Sequence, residues 1–204
     1  GSDNLVLPDN AKLTTTLKDA AAAAVKNSKG FEALPAVQRA PAAGRYVRGL
    51  YSGGTLAAEA QVVFLSHRQP VLSNAPVPGA GLFTSERTNH IMIDLGDDQF
   101  TRGRPHPMID PAVRDEPIHA ALSDPDVGAV LLDVVIGFGA HADPAGHLAG
   151  LLDRHGRSDS VVIASVTGTD EDPQVRARQV SVLERAGVMV APSNADAAEL
   201  ALAC

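Results

Sequence analysis

This chain of 204 residues has one cysteine, Cys204 at the last position, and no tryptophan. A lone thiol excludes an internal disulfide and any cysteine-built metal cluster, and it suits a cytosolic protein. Aromatic residues make up 3% of the chain, too few for a base-stacking platform. Basic residues are the minority, 17 against 24 acidic ones, and the formal net charge is −7. There is no basic run and no interleaving of basic and aromatic residues, so nucleic acid is not an expected partner. No apolar stretch is long enough to span a membrane. No basic-apolar leader pattern stands at the N-terminus. The expected location is the cytoplasm, with no membrane partner. Ser-His-Asp constellations, zinc-ligand spacings and internal repeats are also missing.

What is present is a globular composition, 45% hydrophobic and 20% charged. The length fits one domain with an appendage. From residue 45 onward, short apolar runs alternate with helical patterns. The runs 45–51, 90–95, 129–136, 161–166 and 188–190 predict strands, and the middle ones are nearly continuous in Val, Ile and Leu. Strands covered on both faces read this way. Helices are predicted near 55–66, 111–122, 144–154, 173–186 and 194–203. Asp110-Pro111, Asp143-Pro144 and Asp172-Pro173 each place an N-cap acceptor before a proline suited to the first helical position. Ser193 with Asp196 offers another cap, Asp124-Pro125-Asp126 a turn, and Gly187 a helix stop. The fold class that follows is α/β: a three-layer, doubly wound, five-stranded parallel sheet in the flavodoxin-like order 2-1-3-4-5.

The first strand ends in Ser52-Gly53-Gly54-Thr55, and a helix-forming run follows at once. The N-terminus of such a helix has free N–H groups and a partial positive charge, which hold an anion, typically phosphate. Gly53 and Gly54 permit close approach of backbone to ligand, and Ser52 and Thr55 add hydroxyl donors or a cap. The alternative is a capped helix with nothing bound. The pattern is neither a Walker A loop nor a full dinucleotide fingerprint. In the predicted strand order the third strand ends beside it, in Gly137-Phe138-Gly139-Ala140-His141, so Gly137 and Gly139 join the expected phosphate site.

Residues 1–44 differ from the rest. The stretch 13–29 reads as a helix stopped by Gly30, and the Pro- and Ala-rich stretch 35–44 as a linker. The expected organisation is an N-terminal arm, 1–44, and a domain, 45–204. The arm packs on a neighbouring domain or partner, or is a frayed tail. Segment 67–89 carries Pro70, Pro76, Pro78, Gly79 and Gly81 without periodicity and reads as a long functional or mobile loop.

Taken in order, several runs resemble the ligase domain of the succinyl-CoA synthetase superfamily, and more specifically its FdrA branch of acyl-CoA synthetase-like proteins. They span residues 49–56, 93–98, 103–110, 132–141 and 184–190, and the run Gly103-Arg104-Pro105-His106-Pro107-Met108-Ile109-Asp110 is the most specific. The resemblance implies that Ser52, Gly53, Gly54 and Thr55 open the helix that holds the phosphate in transit. It also implies a β-type domain, because the superfamily's phosphohistidine loop aligns with residues 166–173, which contain no histidine. Further domains or subunits of the same complex are the implied partners, among them a CoA-binding Rossmann-type half. CoA or nucleotide would bind only through that partner. The FdrA branch implies carbamoyl transfer, oxalurate and phosphate giving oxamate and carbamoyl phosphate. The alternatives are the β-like half of an acyl-CoA synthetase, a noncatalytic module of such a complex, and a nucleotide-sensing flavodoxin-like domain.

His106, stiffened by flanking prolines after the second strand, is a candidate catalytic or phosphate-contacting residue, or a loop-packing one. His141 is the second catalytic candidate, at the switch point. Arg102 and Arg104 are candidates for pairing with phosphate or substrate carboxylate. Asp94, Asp97 and Asp98 could bind Mg²⁺, but such clusters more often cap turns, and no metal is predicted. Asp133, inside an apolar strand, needs a buried partner. His67, His90, His119, His147 and His155 show no ligand spacing.

Overall fold

The computed structural model describes residues 8, 11–26, 45–85 and 88–204. Within these, seven parallel strands form one sheet: β1 (Tyr46–Tyr51), β2 (Val71–Ser73), β3 (Gly81–Leu82), β4 (His90–Asp94), β5 (Val127–Val135), β6 (Val161–Thr167) and β7 (Met189–Ala191). Their spatial order is β3-β2-β4-β1-β5-β6-β7. The five strands predicted from the apolar runs occupy the stretch β4-β1-β5-β6-β7, which is the order 2-1-3-4-5. β1 therefore lies between β4 and β5, with Leu50 opposite both Ile93 and Leu132. The chain departs from β1 toward one edge and returns from β5 toward the other, so the carboxyl ends of β1 and β5 flank the switch point.

The helices are α1 (Leu17–Lys26), α2 (Gly54–Ser66), α3 (Asp98–Thr101), α4 (Asp115–Ser123), α5 (Pro144–His155), α6 (Arg176–Arg185) and α7 (Asn194–Ala203). A 3₁₀ turn, Pro111–Arg114, precedes α4. Side-chain alternation along the strands splits the core in two. Val130, Leu132, Val134, Ile91 and Ile93 pack under α4, α5 and α6. Tyr51, Met92, Ala129, Leu131 and Ile163 pack under α2 and α7. β5 is buried along its first eight residues, which explains its unbroken apolar reading.

The sheet has seven strands where five were expected, because segment 67–89 is not a free loop. Val71, Leu72 and Ser73 pair with His90, Ile91 and Met92, and Leu72 and Ser73 pair outward with Gly81 and Leu82. Gln61 of α2, fully buried, fixes the turn between them. Its amide donates to the Ser73 hydroxyl at 3.2 Å and the Ala75 carbonyl at 3.3 Å, and its Oε1 accepts from Val77 N–H at 3.0 Å. The prolines at 70, 76 and 78 keep β2 and the edge strand β3 too short to show a period.

Most predicted helix starts hold. Asp110 accepts from Ala112 N–H, Asp143 from Gly146 N–H and Ser193 from Asp196 N–H. Asp126 N–H closes the predicted turn on Asp124, and Gly187 follows α6 at φ 82°. The exception is Asp172-Pro173, which starts no helix. Asp172 is engaged instead by the N–H and hydroxyl of Thr169, at 2.6 and 3.2 Å. Asp170 serves α6 from a distance by accepting from Ala177 N–H at 2.7 Å. The helix predicted over 111–122 likewise splits into the 3₁₀ turn and α4.

α1 lies against α7, where Lys18 pairs with Asp196. Its first N–H groups, at Leu17 and Lys18, donate to Oε1 of buried Glu59 on α2, whose Oε2 accepts from Asn194 of α7. One carboxylate thus caps α1 and joins three helices. Gly30 and the linker 35–44 lie outside the described residues. No helix among the described residues is long and apolar enough to cross a membrane.

Val175, just before α6, sits at φ 57°, a left-handed conformation that β-branched residues rarely adopt. Such strain costs about 1–3 kcal/mol, against about 0.5–1 kcal/mol for the extra backbone entropy of a glycine. The residue is 39% exposed, so a glycine would also give up part of a valine's burial. Asparagine adopts positive φ more readily than a β-branched residue and keeps a side chain. Val175→Asn is therefore expected to raise the denaturant midpoint, and a lowered midpoint would contradict this assignment of strain.

Candidate phosphate site at the switch point

The site is built on a buried carboxylate. Asp133, 1% exposed on β5, receives three donors on Oδ1: Ser52 N–H at 2.8 Å, the Ser52 hydroxyl at 3.1 Å and Arg114 Nη1 at 2.7 Å. The same Nη1 donates to the carbonyls of Asp133 at 3.0 Å and Leu50 at 3.3 Å. Arg114 comes from the 3₁₀ turn that Asp110 caps, and it is 4% exposed. Removing one member of a buried pair leaves an uncompensated charge and costs about 3–5 kcal/mol. This network fixes where β1 ends and how residues 52–54 leave it. Asp133 thus has the structural partner its buried position required.

From there the chain enters α2. Gly53 is its N-cap, with extended backbone (φ −167°, ψ 159°) and no capping side chain, and the first turn contains no acid. The N–H groups of Gly53, Gly54, Thr55 and Leu56 have no acceptor among the described residues. Thr55 is exposed beside them, whereas Ser52 is buried and its single hydroxyl proton is committed to Asp133. The helix therefore presents unsatisfied donors and a positive dipole end at the switch point.

Across this terminus stands β4. Asp94 is clamped by Asn74, whose Oδ1 accepts from Asp94 N–H at 2.9 Å and whose Nδ2 donates to Asp94 O at 3.0 Å. Its Oδ1 accepts from Gly96 N–H at 2.8 Å, and its Oδ2 lies 2.9 Å from where a Cβ on Gly54 would stand. Burial is the largest influence on this carboxyl, and the nearby charge of Asp97 adds to it. Together they hold its pKa above the usual carboxylate range, against the Gly96 hydrogen bond and the charge of His106. Gly96 is where the parts meet. A Cβ there would stand 2.5 Å from the Ser52 carbonyl and 2.6 Å from His106 Nε2. The His106 ring is oriented by Met108 N–H, which donates to its Nδ1 at 3.3 Å, so a neutral ring carries its proton on the Nε2 that faces Gly96.

His106 thus belongs to the same corner as Ser52, Gly54 and Asp94. His141 does not: its Nδ1 accepts from Asp143 N–H at 3.1 Å, and its ring lies 6.1 Å from that of His147, which is paired with Asp115 at 2.7 Å. It meets the His106 loop through its backbone, its N–H donating to Met108 O at 2.7 Å. Gly137 and Gly139 take φ 134° and 85° and hold Phe138 outward, 93% exposed. The Gly137 N–H is already given to Gln174 Oε1 at 3.1 Å, and Gln174 Nε2 donates to the carbonyls of Gly137 and His141. Arg102 and Arg104 are exposed and line a separate groove of about 520 Å³ with Phe100, Val113 and Glu116. Asp97 caps α3 through Gln99 N–H.

Asn74, Gly96, Arg114 and Gln174 carried no signal in the sequence. The Asp133 position did, because a lone acid in a buried strand demands a cation or donors.

The raised Asp94 pKa fixes the sign of a pH dependence. The folded protein holds this proton more tightly than the unfolded chain, so stability is lost as pH rises from the ordinary carboxylate value through the raised one. Asp94→Asn keeps the acceptor for Gly96 and removes the charge. It is expected to melt higher than the parent at neutral pH, with the difference shrinking as the pH falls through that window. A difference independent of pH would contradict this.

Residues 50–204 match the CoA-ligase family. The chain is also similar to YahF of Escherichia coli (strain K12), an uncharacterized protein, with 37% identity over 166 residues, 77% of this chain and 32% of YahF. The chain spans about a third of the length of that curated relative. The family match begins one strand position before Tyr51 and takes in the glycine loop, Asp94, His106, Asp133 and every helix from α2 to α7; the chain belongs to the CoA-ligase family.

Proposed function

We propose that this domain is the phosphate-holding part of an enzyme that moves an acyl or carbamoyl group to or from phosphate. The observation that carries the reading is the uncapped start of α2, where four N–H groups have no acceptor among the described residues, with Asp94 beside Gly54 and His106 reaching the same corner at Gly96. A dianion there accepts backbone donors and meets the positive dipole end. A carboxyl that retains its proton more readily than usual can turn from a repelling charge into a donor to a phosphate oxygen.

The FdrA-type resemblance supports the finer reading, carbamoyl transfer between oxalurate and phosphate. A phosphate oxygen attacks the ureido carbonyl carbon, the bond from that carbon to the oxamate nitrogen breaks, and the nitrogen takes up a proton. His106 Nε2–H and protonated Asp94 are the groups in the corner able to deliver one. This chemistry needs a phosphate cradle and no phosphohistidine, which agrees with the histidine-free stretch 166–173. An acyl-CoA synthetase of two facing halves remains the second reading, with the phosphorylated histidine and the CoA site on a Rossmann-type companion. Because YahF is about three times as long as the matched segment, companion domains or subunits supply the rest in either reading.

Inorganic phosphate tests the core of the proposal. At about a hundredfold excess over Kd, binding to the folded state adds about 2.7 kcal/mol and raises the melting temperature. In Gly54→Val the new side chain must displace the Asp94 carboxylate and covers the exposed N–H groups. The variant is expected to fold and to lose the phosphate response. No response of the parent protein, or an undiminished one in the folded variant, would overturn the proposal.

A further inference from the structure

The opposite, amino-terminal edge of the sheet holds a second pair of chemistry-bearing side chains. His119 of α4 and His155, the last residue of α5, bring their Nδ1 atoms to 2.7 Å, with the rings edge to face and centroids 4.6 Å apart. The contact is exposed to solvent. Two imidazole nitrogens approach this closely only when one carries a proton and the other does not. A transition-metal cation can take the place of that shared proton, because neutral imidazole is among its preferred ligands.

The spacing is suitable. With metal–nitrogen bonds of about 2.0–2.1 Å, two ligands at a right angle lie about 2.9 Å apart, and two at the tetrahedral angle about 3.4 Å. A small opening of the pair reaches either value. The segment after α5 is tied to α4 without help from the histidines, because Ser158 Oγ donates to the Leu122 carbonyl at 2.8 Å. Within α4, Ser123 Oγ closes the last turn on the His119 carbonyl at 2.9 Å. α4 and α5 both direct their C-termini toward the pair, and their negative dipole ends favour a cation there. A groove of about 890 Å³, bordered by Leu122, His155, Gly156 and Ser158, opens alongside and leaves room for water ligands. Among the described residues no group of three His, Cys, Asp or Glu side chains gathers around a metal position, so water completes the shell.

We propose that His119 and His155 form a two-imidazole site for a divalent transition cation of the nickel, copper or zinc class, which clamps α4 to α5. The site is independent of the phosphate reading and lies at the other end of the sheet. The affinity is modest, since structural zinc sites use four protein ligands.

The test uses the untagged chain, stripped with a chelator and titrated calorimetrically with NiCl₂ and with ZnCl₂, and the Cu²⁺ form observed by electron paramagnetic resonance. The expected result is one cation per chain and copper coupled to two imidazole nitrogens. A loss of affinity of at least tenfold is expected in both His119→Gln and His155→Gln, and none in His67→Gln. Both test residues lie at the surface, and the circular dichroism of each variant checks its fold. Absence of binding, a one-nitrogen copper spectrum, or undiminished binding in either test variant would overturn the proposal.

Discussion

The carboxylate of Asp133 is the constraint on which the carboxyl edge of this domain depends. It is placed by β5, the most buried strand, at a level where the sheet ends and the loops begin. A charge there is affordable only with donors, and it has three on one oxygen: two from Ser52 and one from Arg114. The geometry of residues 52–54 is therefore set from beneath the loop. Arg114 serves in addition as a strut, bonding the carbonyls of Leu50 and Asp133 across the β1–β5 pair. The central strand pair, the 3₁₀ turn before α4 and the start of α2 are held by one polar cluster inside an otherwise apolar core.

The electrostatics of the site follow from that anchor. With Ser52 turned inward, no side chain among the described residues caps α2, and its terminal N–H groups find no acceptor there. The adjacent carboxyl, Asp94, is held by Asn74 and Gly96 and carries a raised pKa because burial disfavours its charge. His106 reaches the same corner, its Nε2 occupying the space a Cβ on Gly96 would need. The corner thus combines fixed donors, a carboxyl that gives up its proton reluctantly and a histidine whose Nε2 faces inward. This combination is what the proposed phosphate, an anion that exchanges protons as it reacts, would require. The second glycine loop plays a different part: Gln174 secures it, and His141 faces Asp143 and His147.

The fold was legible where periodicity and punctuation were strong. Apolar runs rich in Val, Ile and Leu marked five of the seven strands, β4, β1, β5, β6 and β7, and their order followed from alternation with helices. Asp110, Asp143 and Ser193 announced caps that the structure contains. Short strands flanked by prolines left no period, so β2 and β3 were invisible, and their order rests on Gln61, a residue unremarkable in sequence. Asp172-Pro173 misled because its carboxylate is used by Thr169. At the site, Ser52 to Thr55 and His106 stood out through local chemistry. Arg114, Asn74 and Gly96 act through tertiary contacts at separations no local pattern encodes. Arg102 and Arg104 shared a loop with His106 in sequence but face another groove in space.

The central claim is that the start of α2 binds phosphate through its backbone. A titration of the ¹⁵N-labelled chain with inorganic phosphate, followed amide by amide, tests it most directly. The account predicts saturable shifts largest at Gly53, Gly54 and Thr55, with smaller ones at Gly96 and in the His106 ring. Shifts centred elsewhere, or none at these amides at high phosphate, would contradict it.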